Sequence, residues 1–170
     1  HRVADNSPGD LLPRDWRGWM MRWREADRRA ALVLDRPSDV LSEAAVAKMV
    51  ARLAPENAAI HAGNGMPVRD LDAFGDSHQR ALAIFVSRGA NGIDGTLSTA
   101  IGEAIGRAEP LIVMIGDLAS LHDLSGLRLL AETRAPVCVV VLNNGGGGIF
   151  DFLPIAKHPS AYERCFLTPQ

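Results

Sequence analysis

The chain has 170 residues, 47% of them hydrophobic, with 18 Lys and Arg against 20 Asp and Glu for a formal charge of −2. That balance leaves no basic stripe for nucleic acid, and no apolar run approaches the length of a membrane span. The polar start, His1 to Asp10, does not read as a signal peptide, and two cysteines without CxxC spacing support neither structural zinc nor a disulfide framework; a reducing cytoplasm fits.

In chain order, Trp16, Trp19, Met20 and Trp23 recur at helical spacing after Pro13, a stripe read as packing against a neighbouring domain rather than a ligand box. After the break at Arg36-Pro37-Ser38, Ser42 caps a second helix whose apolar face is Val46, Met49, Val50 and Leu53. Ala58 to Ala62 reads as the first strand and Pro67 to Phe74 as a short helix. Leu82 to Val86 is the next strand, followed by a helix for which Asp94 is the expected N-cap. Leu111 to Gly116 and Val137 to Leu142 are apolar runs of strand length, rich in Val and Ile, so both are expected to be buried on both faces of a parallel sheet. A helix is expected from His122 to Glu132 between them. Strand and helix alternate, which predicts an α/β fold with right-handed crossovers and a doubly wound parallel sheet.

The chemistry gathers at strand ends. Asp117 directly follows one apolar run and Asn143-Asn144 the other, 27 positions separating Asp117 from Asn144. In open parallel sheets ligands bind beyond the carboxyl ends of the strands. A carboxylate, an amide oxygen and the free carbonyls of the Gly145 to Gly148 loop are hard oxygen donors, the set that Mg²⁺ or Ca²⁺ prefers when it also holds a phosphate. The alternative for each motif is ordinary loop punctuation, since Gly, Asp and Asn are common turn residues. For the four glycines the alternative is a flexible linker, which a run wedged between a strand and an apolar turn does not suit. Arg69, in the Gly63-Asn64-Gly65-Met66-Pro67-Val68-Arg69 stretch after the first strand, and Arg88 after the second, are two cations at neighbouring strand ends. His122 and His78 are not taken as acid–base groups: His122 suits capping or packing at a helix start, and His78 lies in a polar turn.

The Gly-Asp, helix, strand, Asn-Asn arrangement resembles the thiamine-diphosphate fingerprint of decarboxylases and carboligases, with Leu118 where the usual motif has a third Gly. Three segments sharpen the likeness: Ser87 to Ala100, Gly116-Asp117-Leu118 with Leu121-His122-Asp123-Leu124, and Asn143 to Pro154. Together they resemble the 2-succinyl-5-enolpyruvyl-6-hydroxy-3-cyclohexene-1-carboxylate synthase family of menaquinone biosynthesis, a likeness running from about Ser42 to Gln170.

That resemblance implies thiamine diphosphate with Mg²⁺, or Mn²⁺ in its place, held by Asp117, the Asn144 side chain and the Gly146 carbonyl. It implies further cofactor contacts from Gly65, Ile93, Gly116, Leu118 and Ile149, with Ile93 propping the bent cofactor. Arg69, Arg88, Ile149, Phe150 and Leu153 are implied on the substrate side, the arginines toward carboxylates; Gly65 stands where the family often has Ser. Ordinary core is the alternative for Ile93, Ile149, Phe150 and Leu153. The implied reaction decarboxylates 2-oxoglutarate and adds the succinyl unit to isochorismate.

By the same likeness residues 1–37 are a linker and helix leading out of a middle domain, and residues 38–170 a diphosphate-binding domain incomplete at its C-terminal end. No catalytic acid or base is expected in this chain; the activating glutamate belongs to a pyrimidine-binding domain of a partner subunit, in a homodimer or homotetramer. The chain alone is expected to be inactive. Two alternatives stay open: another thiamine-diphosphate enzyme such as acetolactate synthase, or a non-catalytic nucleotide-binding α/β module.

Overall fold

A computed structural model describes residues 15–34, 40–75, 82–89 and 91–169. The chain divides into two units, His1–Leu41 and Ser42–Gln170. The first contains helix α1 (Asp15–Leu34), on which Trp16 and Trp19 meet edge to face at 5.0 Å and Trp19 and Trp23 follow at 5.7 Å. All three rings are exposed within the described residues.

The second unit is built on four parallel strands, β1 (Ala59–Ala62), β2 (Ala83–Phe85), β3 (Leu111–Gly116) and β4 (Val137–Leu142), in the order β2-β1-β3-β4. Register pairs Ala59 with Ala83 on one side and with Leu111 on the other, and Leu111 in turn with Val137. Helices α2 (Glu43–Leu53) and α3 (Met66–Phe74) cover one face, where Ala47, Val50, Ala51, Ala54 and Leu71 meet Ile60, Ala62, Met114 and Leu142. Helices α4 (Thr96–Arg107) and α5 (Asp117–His122) take the other, where Leu97, Ala100, Ala104 and Ala119 meet Ala59, Leu111, Val113 and Ile115. Alternate residues of each strand thus feed opposite cores, the doubly wound α/β arrangement that the alternation of elements predicts. The connection after β1 leaves toward one face and that after β3 toward the other, so a crevice opens between them at the strand ends.

Local expectations are corrected in five places. On α2 the buried stripe is Ala47, Val50, Ala51 and Ala54, while Met49 and Leu53 face solvent, Leu53 at 75%; small side chains let the helix approach the sheet closely. The N-cap of α4 is Gly95, in the left-handed region at φ 66°, with no side-chain cap from Asp94. The single helix expected over His122 to Glu132 is instead α5, ending at His122, followed by a 3-10 helix, Leu124–Ala131. The break falls at Asp123, whose carboxylate turns away to accept the Ser98 N–H at 2.7 Å and hydroxyl at 2.9 Å. His122 accordingly ends a helix rather than starting one, and it is exposed. Finally, β4 lies at an edge of the sheet, so it is only partly buried and exposes Cys138 and Val141. His78 lies outside the described residues.

Candidate functional site

Gly116 ends β3 and Asp117 opens α5, so the carboxylate sits in the first turn of a helix where backbone N–H groups lack helical partners. Asp117 is buried, 6% exposed, with Oδ1 accepting the Leu118 N–H at 2.8 Å and Oδ2 accepting the Gly146 N–H at 2.8 Å. The second of these bonds joins the end of β3 to the loop after β4. That loop turns through three consecutive left-handed residues, Gly145, Gly146 and Gly147, at φ 84°, 84° and 85°. Each would cost an L-residue about 1–2 kcal/mol. A 3-10 helix, Gly148–Phe152, follows, placing Ile149 and Phe150 half-buried and Phe150 against Phe166 at 5.2 Å.

Asn144 is held from two sides. Its Oδ1 accepts the Gly148 N–H at 3.3 Å, and its Nδ2 donates to Glu43 Oε1 at 3.0 Å. Asn143 Oδ1 accepts the Gly145 N–H at 2.9 Å, closing the turn. The Gly146 carbonyl accepts a long bond from the Thr168 N–H at 3.3 Å, so the C-terminal segment lies on the glycine loop. A Cβ at Gly146 would come within 1.7 Å of the Thr168 carbonyl oxygen.

The residues present fit a dication. Asp117 is a buried carboxylate with no cationic partner among the described residues, and an uncompensated buried charge is costly. No cluster of three His, Cys, Asp or Glu side chains among the described residues could hold a metal. A cation here would therefore depend on amide and carbonyl oxygens beside a carboxylate, the hard set offered by Asp117, Asn144 and Gly146.

The loops after β1 and β2 form the other side of the strand ends. Asn64 Nδ2 donates to the Gly92 carbonyl at 2.9 Å, tying them together. Gly65 is the N-cap of α3 and offers no side-chain cap, as expected where a hydroxyl is lacking. Arg69 is exposed and donates from Nη1 to the carbonyls of Asn64 at 2.9 Å and Gly65 at 2.5 Å. Arg88 is exposed just past β2, and Ile93, 39% exposed, accepts the Thr96 hydroxyl on its carbonyl at 3.0 Å. Leu118 is half-buried in the first turn of α5, and Leu153 is exposed beyond the 3-10 helix. The structure thus joins Asp117, Leu118 and Gly146 by hydrogen bonds, with Asn144 in the same loop bonded to Glu43 and Gly148, while none of the bonds described reaches from these residues to Arg69 or Arg88.

Two residues escape sequence reasoning. Glu43, in the first turn of α2, reads as an ordinary helix-start acid, yet it meets Asn144 across 101 positions. Asp70 on α3 is 4% exposed, and its Oδ2 has no hydrogen-bond partner. Burial first, then the neighbouring Glu43 carboxylate, push the Asp70 carboxyl up to about 6. A signal existed: Pro67, Asp70 and Leu71 fall at i, i+3 and i+4, which puts an acid on the buried stripe of an amphipathic helix.

The match to known proteins follows this geometry. Residues 71–164 match the family described as the thiamine pyrophosphate enzyme, C-terminal TPP binding domain, and the chain belongs to that family. Three similar proteins carry the name 2-succinyl-5-enolpyruvyl-6-hydroxy-3-cyclohexene-1-carboxylate synthase. The one from Rubrobacter xylanophilus is 49% identical over 152 residues, covering 89% of this chain and 26% of its own length. That from Chlorobium limicola is 47% identical over 135 residues, 79% of this chain and 23% of its own. That from Sorangium cellulosum is 44% identical over 166 residues, 94% of this chain and 27% of its own. The chain therefore spans about a quarter of the length of the curated relatives it matches.

Proposed function

We propose that this chain is the cofactor-binding part of a 2-succinyl-5-enolpyruvyl-6-hydroxy-3-cyclohexene-1-carboxylate synthase, a transferase that decarboxylates 2-oxoglutarate and adds the succinyl unit to isochorismate in menaquinone biosynthesis. The observation that carries the reading is the buried Asp117 carboxylate bonded to the Gly146 N–H of a left-handed glycine loop, in a chain 49% identical to a synthase of that name.

Asp117, the Asn144 amide oxygen and the Gly146 carbonyl would hold Mg²⁺, or Mn²⁺, against the diphosphate. Gly116 and Leu118 lie on either side of Asp117 at the β3 end, and Gly65 and Ile93 belong to the neighbouring loops toward the cofactor. Thiamine diphosphate, when bound, supplies the carbanion chemistry. Arg69 and Arg88 present guanidinium forks to the carboxylates of 2-oxoglutarate and isochorismate, for which Arg69 exchanges its carbonyl partners for substrate. Ile149, Phe150 and Leu153 wall the apolar side and limit water there. The glutamate that activates the cofactor's aminopyrimidine comes from a pyrimidine-binding domain of a second subunit, so the working enzyme is a cytoplasmic homodimer or homotetramer.

The test is turnover by the complete enzyme. Loss of isochorismate and release of carbon dioxide from 2-oxoglutarate should both require thiamine diphosphate and Mg²⁺, and the 170-residue chain alone should be inactive. Turnover of pyruvate in place of 2-oxoglutarate would redirect the reading to an acetolactate synthase. Binding of nucleotides without thiamine diphosphate would replace it with a nucleotide-binding module.

A further inference from the structure

We infer that Glu43 is a positioning residue for the cation site, acting through the Asn144 amide; this rests on the proposed role of Asn144 as a metal ligand. An asparagine amide offers an acceptor at one end and donors at the other, and either end can face a cation unless its neighbours decide. Here both neighbours agree. Glu43 Oε1 takes the Nδ2 hydrogen at 3.0 Å, and the Gly148 N–H points at Oδ1 at 3.3 Å. Flipping the amide would set Oδ1 against a carboxylate and Nδ2 against an N–H, losing both bonds. The oxygen is thereby fixed toward the glycine loop with a lone pair to spare.

The surroundings are cut to this arrangement. A Cβ at Gly148 would lie 2.7 Å from Asn144 Cγ, so only glycine lets the amide lie on the loop. Ser42 caps α2 by accepting the Ala45 N–H at 3.2 Å, which sets Glu43 in the first helical turn, where the helix dipole favours a carboxylate. Asp70, buried on α3, neighbours the Glu43 carboxyl. Outer partners of this kind orient ligating groups, and their loss typically lowers metal affinity by about 10–100-fold.

Mn²⁺ can be titrated into the complete apo-enzyme with thiamine diphosphate in excess, free Mn²⁺ being read by electron paramagnetic resonance and folding by circular dichroism. Glu43→Ala should weaken Mn²⁺ binding by about 10-fold or more. Glu43→Met, which keeps the stem's volume but offers no acceptor, should do the same and serves where the alanine variant does not fold. Glu43→Gln keeps an acceptor and should bind close to wild type. Adding Glu43→Ala to Asn144→Ala should cost nothing further, because the two act as one unit. Wild-type affinity in Glu43→Ala and Glu43→Met, with affinity lost in Asp117→Ala, would overturn the inference and leave the metal reading standing. Equal losses in Glu43→Gln and Glu43→Ala would overturn it too, since charge rather than orientation would then be at work. Additive losses in the double variant would likewise overturn it, because the two side chains would then act separately. Unchanged affinity in Asp117→Ala would sink the metal reading, and the inference with it.

Discussion

At the ends of β3 and β4 the Asp117 carboxylate is buried, receives two backbone N–H groups at 2.8 Å, and is covered by a loop locked through three left-handed glycines. At the ends of β1 and β2 Arg69 and Arg88 are both exposed, and Arg69 donates to carbonyls of its own loop. Bonds to a charged acceptor are worth about 1.5–3 kcal/mol each, so the first region keeps its geometry without a ligand. The second is tied through main-chain carbonyls by Asn64 and Arg69, and its two guanidinium groups stand exposed to solvent. The buried carboxylate is thus held in place by the chain's own main-chain groups, whereas the arginine side chains stand at the surface.

The sharpest way to break this contrast is Asp117→Ala in the complete enzyme, which should reduce Mg²⁺-dependent cofactor binding beyond detection by calorimetry. Retained affinity would mean that the ordered cluster is structural only. Gly146→Ala should come next, with a stability loss of about 3 kcal/mol in urea unfolding, combining left-handed strain with overpacking. Its new Cβ meets backbone, the Thr168 carbonyl at 1.7 Å, so the C-terminal segment must move. Arg69→Ala and Arg88→Ala should lower kcat/KM for 2-oxoglutarate or isochorismate by about 30-fold, or 2 kcal/mol, and leave cofactor affinity nearly unchanged. A loss confined to cofactor binding would assign them to the ordered region instead.

The smallest effect concerns Asp70. Its carboxyl, pushed up to about 6, keeps a proton in the native state that the unfolded chain has already released above its ordinary value of 3.8. Stability therefore declines as pH rises through that window, and the penalty is complete above it. Asp70→Asn should remove the penalty, stabilising the fold by about 1 kcal/mol at pH 8 and by little at pH 4. Thermal unfolding at the two pH values measures the difference.

The strands and the carboxylate at the end of β3 were legible because short Val- and Ile-rich runs leave few other structures open and Gly-Asp follows one directly. The Asn144 to Gly148 loop was legible for the same reason. Periodicity misjudged α2, where Met49 and Leu53 are more hydrophobic than the alanines that in fact pack, since close approach to a sheet selects for size as well as apolarity. It also gave β4 full burial, whereas Val137 and Val139 pack partly on one face and Val140 and Leu142 on the other, and Cys138 and Val141 stay exposed. Glu43 was beyond reach, since its role arises from a contact across 101 positions that no local spacing encodes, whereas the buried place of Asp70 was readable from its spacing with Pro67 and Leu71 on α3.

The sheet order also sets the chain lengths that its strand pairs must close. Ala59 pairs with Ala83, and Leu111 with Val137, over short separations, while the central junction joins Ala59 to Leu111 across about twice that length. Each doubling of a closed loop costs about 0.6 kcal/mol in chain entropy. Closing the β1–β3 seam therefore costs about 0.6 kcal/mol more chain entropy than closing either outer pair. The crevice at the strand ends lies along that seam, so it is bounded by the strand pair whose partners are farthest apart in sequence.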